Sequence, residues 1–268
     1  MLLPMLLVSY NSISAQQNGK LVAFKSGNEY LKLTTVNSAS ILQRGNVIIN
    51  VNSTSFVSKT YKIDAVNNNG FAVTMVTNKI TDTIRSGDNH FYFNSDQPDN
   101  TSDKLANALQ YTVGKSAKFN VFNNGTISSV DMNASKLVND TLFTFTGIET
   151  EDLSAGKRFA MIADITSYSK LKPGDNWADT LGATNNKTIT KFWLVRRTPV
   201  STTFGYSSST KGDKLNTNSN GTYVVNNTTG IITSRLIQSV TVGYQIYKRT
   251  VYSSTRRTNV AESCYTVH

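Results

Sequence analysis

Apolar and polar residues alternate along most of this chain, and this period of two constrains the fold more than any other feature. In residues 61–65 every second residue is apolar, and the alternation resumes at Phe71 after Asn67-Asn68-Asn69-Gly70. Asn-Gly between two alternating runs favours a β-hairpin, because these residues readily adopt the positive φ of the turn. The arrangement recurs at residues 119–132 and 223–233. The pattern predicts an antiparallel all-β protein.

One segment departs from this alternation and predicts an α-helix near residues 102–113. Asp103 is a typical N-cap, Leu105 and Leu109 recur at helical spacing, and Gly114 is a typical residue just past a helix end. A second, shorter helix is predicted at residues 133–139. The fold class predicted is therefore all-β with one main helix, built from long antiparallel meanders in two curved sheets of half-barrel or sandwich type.

The chain divides into three predicted segments. Residues 1–8 are apolar and small residues such as Ala15 follow, which is typical of a secretory signal peptide over residues 1–16. A buried N-terminal strand is the alternative, against which Pro4 and the abrupt change to polar residues argue. Residues 17–150 and 151–268 form two β-meander halves that pack as one unit. No later apolar run reaches the ~18–20 residues of a membrane helix, so we expect no transmembrane segment in a secreted or periplasmic mature chain.

Three blocks of this sequence carry a resemblance to a known family. They are residues 114–127 (GKSAKFNVFNNGTI), residues 171–177 (LKPGDNW) and residues 221–232 (GTYVVNNTTGII). They resemble the central hairpin, a Val-Gly-Asp-x-Trp turn and the closing hairpin of an uncharacterised secreted all-β family of Bacteroidota, domain-of-unknown-function family 6263. The Ser-, Thr- and Asn-rich loop after Arg197 and the basic strand before it depart from that pattern. The resemblance implies export and a β-rich fold, and it implies no catalytic residue.

Residue types that carry catalysis or bind metals are scarce. The chain has two histidines, of which His268 is the last residue, and one cysteine, Cys264, so internal disulfides and Cys₄ or Cys₂His₂ zinc sites are excluded. A Ser-His-Asp triad would have to use His90, which a surface position explains more simply. We therefore expect no enzyme, no metal site and no cofactor.

Two other catalytic patterns are weak. Residues 167–170 match Ser-x-x-Lys, but they run directly into a Pro-Gly turn and the chain contains no Lys-Thr-Gly element. A glycosidase needs a close carboxylate pair, and Asp175 is more simply a turn residue. The other carboxylates considered for such a pair are Asp64, Asp164 and Asp179.

Positive charge is concentrated near the end of the sequence. Residues 187–268 hold eleven basic and two acidic residues, in a chain of net charge +10. Adjacent residues of a strand face opposite sides, so one arginine of a pair such as 256–257 can face a groove. A basic face of this kind suits a lipid, lipopolysaccharide or an acidic glycan, and export argues against nucleic acid. The predicted ligand-binding residues are Trp193, Arg196, Arg197, Tyr244, Lys248 and Arg249.

Two functions remain open from the sequence. One is an exported, non-catalytic binding protein that holds an amphipathic or anionic ligand on an aromatic concave sheet. The other is a structural or interaction scaffold with a filled core and no small-molecule ligand. Under the second hypothesis, the basic residues keep the exposed strands soluble and prevent their edges from pairing with other chains. The sequence leaves the oligomeric state open.

Overall fold

The computed structural model describes residues 24–97, 103–131, 151, 153–163, 170–181, 187–247 and 249–267. The predicted signal peptide and the predicted helix at residues 133–139 lie outside these ranges. Within them the chain forms twelve strands and one helix. The strands are β1 (Glu29–Arg44), β2 (Val47–Asn67), β3 (Gly70–Ser86), β4 (Asn89–Asn94), β5 (Ser116–Phe122), β6 (Ile127–Val130), β7 (Asn176–Leu181), β8 (Lys187–Arg197), β9 (Ser201–Lys211), β10 (Leu215–Asn226), β11 (Ile232–Tyr247) and β12 (Thr250–Val267), and the helix is α1 (Lys104–Thr112).

All twelve strands belong to one antiparallel sheet, in the order β6-β5-β3-β2-β1-β12-β11-β10-β9-β8-β7, with β4 paired to β3. The all-β prediction with one main helix is confirmed. The expectation of two sheets is corrected to one. The physical reason is that β1 and β12 pair along fifteen residue positions, from Glu29–Val267 to Gln43–Ser253, and so join the two meanders edge to edge. Among the described strands the sheet is open, since β6 and β7 are not paired to each other.

Local sequence signals specify the turns and the helix. The Asn67 side chain accepts hydrogen bonds from the backbone N–H groups of Asn69 and Gly70 at 2.8 and 2.9 Å, which closes the β2–β3 turn. The Asp103 carboxylate accepts from the N–H groups of Leu105 and Ala106 and caps α1. The predicted hairpins and the predicted main helix are confirmed.

The two faces of the sheet differ sharply in burial. The inner face carries Tyr30 and Val36 of β1 and the residues opposite to them, whereas the outer face carries the intervening residues, which are mostly exposed. On β8 to β12 most inner side chains are half-buried or buried, although no second sheet covers them in the part of the chain that the structure describes. A concave surface explains this, because neighbouring side chains on it shield one another.

A short segment, which we call the strap (residues 151 and 153–163), crosses one end of the inner face and requires this curvature. Arg158 bridges to Thr126 beside β6, and Ile162 bridges to Ile231 beside β11. The four-residue step from Arg158 to Ile162 spans at most about 14 Å. Each of the two bridges adds one strand spacing, so β6 and β11 can lie at most about 24 Å apart. In a flat sheet β6 and β11 would lie six strand spacings, about 29 Å, apart. The sheet therefore bends around the strap.

Three apolar clusters lie on the inner face. The largest lies under the strap, where Phe159 packs against Tyr61 and Phe119. A second cluster seats α1 through Leu109, which is fully buried against β2, β3 and β4. The third surrounds Phe204 on β8 to β10. The core is thus concentrated at the strap end, and the opposite end, where the β1–β2, β9–β10 and β11–β12 turns lie, is called the hairpin end.

Candidate functional site

Five aromatic side chains form a continuous patch on the inner face of β7 to β10. Direct cross-strand pairing places Trp177 opposite Phe192 and Phe204 opposite Tyr223. These pairs are stacked, with ring centroids 5.3 and 5.1 Å apart. Tyr206 completes the patch at 6.3 Å from both Phe192 and Tyr223. We call these five residues the concave aromatic patch.

The concave aromatic patch is incompletely covered. Phe204 is fully buried, and the other four rings are half-buried. Gly221 contributes to this geometry: a Cβ there would lie 3.0 Å from the Tyr206 ring, so the missing side chain leaves room for the tyrosine to extend across β10. The patch therefore offers apolar ring surface to the concave side of the sheet.

Rows of hydroxyl side chains border this patch on the side of the hairpin end. Hydroxyl pairs bridge neighbouring strands, including Thr190 with Ser208 at 3.0 Å and Thr217 with Thr241 at 2.9 Å. The inner face thus changes from aromatic to hydroxyl-lined along the strands. By the strand register, one row consists of Ser53, Ser38, Thr258, Ser239, Ser219, Ser208 and Thr190, and the next contains Ser40, Thr241, Thr217, Thr210 and Thr188.

One arginine lies within the hydroxyl rows. Arg256 of β12 is half-buried on the inner face, opposite Ser40 and Thr241, while its neighbour Arg257 is exposed on the outer face. The expectation that one member of a basic pair faces inward is confirmed here. The inner face consequently combines an aromatic region, hydroxyl donors and a cation, which is the chemistry that an amphipathic ligand requires.

A buried ionic network fixes the strap to the inner face. The Glu151 carboxylate accepts from Lys32 Nζ at 2.7 Å and from the Tyr61 hydroxyl at 2.7 and 2.8 Å. Lys32 also contacts Glu262 at 2.8 Å, and Arg235 bridges Glu262 at 3.3 Å to the strap carbonyl of Ala160 at 2.7 Å. The network links β1, β2, β11 and β12 to the strap.

The buried charges of this network are paired with opposite charges and hydrogen-bonded. The Lys59 and Lys32 ammonium groups and the hydrogen bonds outweigh the effect of burial and hold the pKa of Glu151 well below its usual range. Burial raises the pKa of the Cys264 thiol to about 11. A cavity of about 10 Å³ beside Lys32 and Cys264 has room for about one water molecule. We assign the network a structural role.

The predicted binding residues of β8 lie away from the concave aromatic patch. Trp193 is on the outer face, where its indole lies across Gly205 of β9: a Cβ on that glycine would be 2.3 Å from the ring. Arg196 follows a bulge on the same face. Arg197 is on the inner side and donates to the carbonyl of Leu171 at 3.2 Å. Both arginines are exposed.

The predicted binding residues of the β11–β12 hairpin lie further away. Tyr244 is 65% exposed on the outer face, eight residues along β11 from the cross-strand row of Trp193, or about 26 Å. Arg249 is exposed in the turn with φ of 63°, and Lys248 lies outside the described residues. The register does not gather the five described residues into one site, and the role of all six in binding stays a prediction.

Residues considered for catalysis do not contact one another in any described hydrogen bond or ion pair. His90 is exposed on β4 opposite Arg85. The Asp175 carboxylate accepts from the N–H of Lys172 at 2.8 Å, so its predicted role in a turn is confirmed. Asp64 and Asp179 are exposed at separate positions of β2 and β7. Ser167 and Asp164 lie outside the described residues.

In the described parts of the chain, no three His, Cys, Asp or Glu side chains come close enough to hold a metal ion. No described helix is long and apolar enough to cross a bilayer.

The sequence reasoning missed most of the concave aromatic patch. A usable signal was present, because Phe204 and Tyr206 share one parity along β9 and must face the same side. Pairing β8 with β9 through their connecting turn would have placed Phe192 on that side too. Trp177 required the register of β7, which the sequence does not specify.

Comparisons with known proteins show the fold. Neither the family models nor the curated proteins give a match. Among solved structures, one that describes lipid–protein interactions in lipovitellin is similar, with a TM-score of 0.53 and 10% identity over 90% of this chain and 25% of that chain. This chain therefore spans about a quarter of the solved lipovitellin chain and shares a fold with that part.

Two further solved structures score lower. They are the COG4313 outer membrane channel from Pseudomonas putida F1, with a TM-score of 0.25 and 6% identity over 93% of this chain and 99% of that chain, and Ail, the attachment invasion locus protein of Yersinia pestis, with 0.21 and 7% over 90% and 100%. Scores of this size do not support a shared fold.

Proposed function

We propose that this chain is an exported, non-catalytic protein that binds an amphipathic lipid on the concave face of its sheet. The observation that carries the proposal is the concave aromatic patch, whose four half-buried rings adjoin the hydroxyl rows. Arg256 lies within those rows on β12, three strands from Tyr206 of the patch. An acyl chain would cover the rings, and the polar headgroup would meet the hydroxyls and the guanidinium. Charge-assisted hydrogen bonds of this kind contribute roughly 1.5–3 kcal/mol each.

The fold similarity supports this proposal. Lipovitellin, with which this chain shares a fold, is described by its lipid–protein interactions. We propose that this chain has a lipid partner as well. The export predicted from residues 1–16 is part of the same proposal. We include in this proposal a location in the bacterial envelope and membership of the secreted Bacteroidota family that the sequence resembles.

The two tryptophans provide a direct test, because Trp177 is on the inner face and Trp193 on the outer face. Trp193→Phe leaves Trp177 as the sole tryptophan, and Trp177→Phe leaves Trp193. A lysophosphatidylcholine with a brominated acyl chain quenches indole fluorescence on contact. We expect saturable quenching of Trp177 below the micelle concentration and no quenching of Trp193.

A second measurement separates headgroup recognition from chain binding. Arg256→Gln should weaken the binding of lysophosphatidylglycerol about tenfold more than that of lysophosphatidylcholine, because only the first carries a net negative charge and the second's choline cation already neutralises its phosphate. Tyr223→Ala should weaken the binding of both lipids equally, because it removes a ring that contacts the acyl chain. Equal quenching of the two tryptophans, or none of Trp177, would favour the scaffold with no small-molecule ligand.

A further inference from the structure

A cluster of exposed apolar side chains covers the outer face at the hairpin end. Their exposed fractions range from 43% for Val242 to 65% for Tyr244, which is unusual for large apolar residues on adjacent strands. They lie on the opposite face from the concave aromatic patch. We call this set the tip patch; it consists of Ile41, Ile48, Val242, Tyr244, Ile246 and Val251.

Strand register makes the tip patch continuous. Ile246 pairs directly with Val251 across the β11–β12 hairpin. Ile41 and Val242 lie on either side of Thr255, to which both pair. The intervening residues are small or uncharged, so the apolar groups share one surface across β2, β1, β12 and β11.

Positive charge surrounds this surface. Arg249 lies at the β11–β12 turn and Arg257 on the outer face of β12. Arg44 lies at the β1–β2 turn, at a position of inner-face parity on the rim of the sheet, and all three are exposed. Residues 30–63 and 236–261, which form most of these four strands, contain no aspartate or glutamate. The tip patch is therefore apolar at its centre and cationic at its margin.

We propose that the tip patch docks this protein onto a membrane surface that carries anionic lipid headgroups. Aliphatic and tyrosine side chains enter the boundary between headgroups and acyl chains, while arginines contact the phosphates. A second copy fits less well, because a two-fold contact would bring the cationic margins of both copies together, and residues 30–63 and 236–261 offer no carboxylate to pair with them. Nucleic acid fits less well too, because its phosphates offer nothing to Ile246 and Val251. The inference goes beyond the proposed function and does not depend on it.

Vesicle flotation tests the proposal with the full chain. The probes are vesicles of phosphatidylcholine alone and vesicles of phosphatidylcholine mixed equally with phosphatidylglycerol. We expect binding to the mixed vesicles only, weakening as salt is raised. Arg44→Gln and Arg249→Asn should each raise the lipid concentration for half binding about fivefold. Asparagine is chosen at 249 because it tolerates the positive φ.

The apolar contribution is tested with Tyr244→Ser combined with Ile246→Ser, which should weaken binding at least tenfold. Both positions are exposed, so the fold should persist, and circular dichroism checks this. The matched controls lie at the strap end: Val200→Ser, 68% exposed, and Lys172→Gln, also exposed, should bind as the unmodified chain does.

Several results would overturn the docking proposal. They are absence of vesicle binding, equal binding to both vesicle types, and equal losses in the tip and control variants. A dimer in sedimentation velocity that dissociates in the Tyr244→Ser, Ile246→Ser variant would assign the tip patch to a second copy. Trp177→Phe should retain vesicle binding, so failure of concave lipid binding and failure of membrane docking remain separate results.

Discussion

Replacing Glu151 by glutamine should cost this fold about 3 kcal/mol in its free energy of unfolding. The carboxylate is 14% exposed and contacts Lys32, which is 6% exposed. Removing one partner of a buried ion pair typically costs 3–5 kcal/mol, because the other charge stays buried. The lower end applies since Lys32 keeps Glu262 at 2.8 Å and glutamine can still accept from Tyr61. A loss of about 3 kcal/mol corresponds to about 6–12 °C in Tm for a chain of this size.

The matched control is Glu29→Gln. Glu29 pairs with Lys62 at 3.8 Å, and both side chains are about half exposed, so this change should cost less than about 1 kcal/mol. Urea unfolding followed by circular dichroism measures both variants. A double-mutant cycle with Lys32→Met should show that the second substitution costs less once Glu151 is neutral.

The pH dependence gives an independent check. Because folding lowers the pKa of Glu151 from its ordinary value near 4.5, its contribution is present above that pH and lost as pH falls through the folded pKa. The difference in free energy of unfolding between the unmodified chain and Glu151→Gln should therefore become smaller in acid. Equal losses for Glu151→Gln and Glu29→Gln, or a gap that widens in acid, would refute the account of the strap.

Three other changes follow from particular contacts. Burial raises the pKa of Asp82 to about 7. The free energy of unfolding should therefore fall by on the order of 2–4 kcal/mol as pH rises from about 4 to 7. Urea titrations at several pH values should show this fall, and Asp82→Asn should flatten it. Gly205→Ala should displace the Trp193 indole and cost about 1–3 kcal/mol, with a red-shifted emission; unchanged emission would contradict the packing. Asp103→Ala should lower the free energy of unfolding by about 0.5–2 kcal/mol in urea titrations, because the N-cap of α1 is lost. Asp103→Asn should lower it less, because the asparagine side chain can still accept the capping hydrogen bonds.

Local signals in the sequence were sufficient for the hairpins and the helix. Asn67 and Gly70 specify the β2–β3 turn, and Asp103 and Gly114 delimit α1, because these effects depend on residues within a few positions of each other. Alternation likewise specified which residues share a face. These parts of the fold can be predicted without knowing how the strands are arranged.

Contacts between distant parts of the chain could not be predicted. The β1–β12 pairing depends on two strands more than two hundred residues apart, and many strands here have the same alternating pattern. Glu151 lies in a segment whose weak pattern indicated only a connection, yet it forms the centre of a buried network. The place of Trp177 in the concave aromatic patch depended on the register of β7, and no local signal encodes it.

The central position of β12 has a consequence for biosynthesis. β12 is the last described strand in sequence, and it occupies the middle of the sheet between β1 and β11. Until it has been synthesised, β1 and β11 each have an unpaired edge, and the two meanders have no hydrogen-bonded connection through the sheet. The native sheet is therefore completed only after translation of β12, and non-local pairing of this kind is slow. A chain that crosses a membrane during this interval would do so before its sheet is complete.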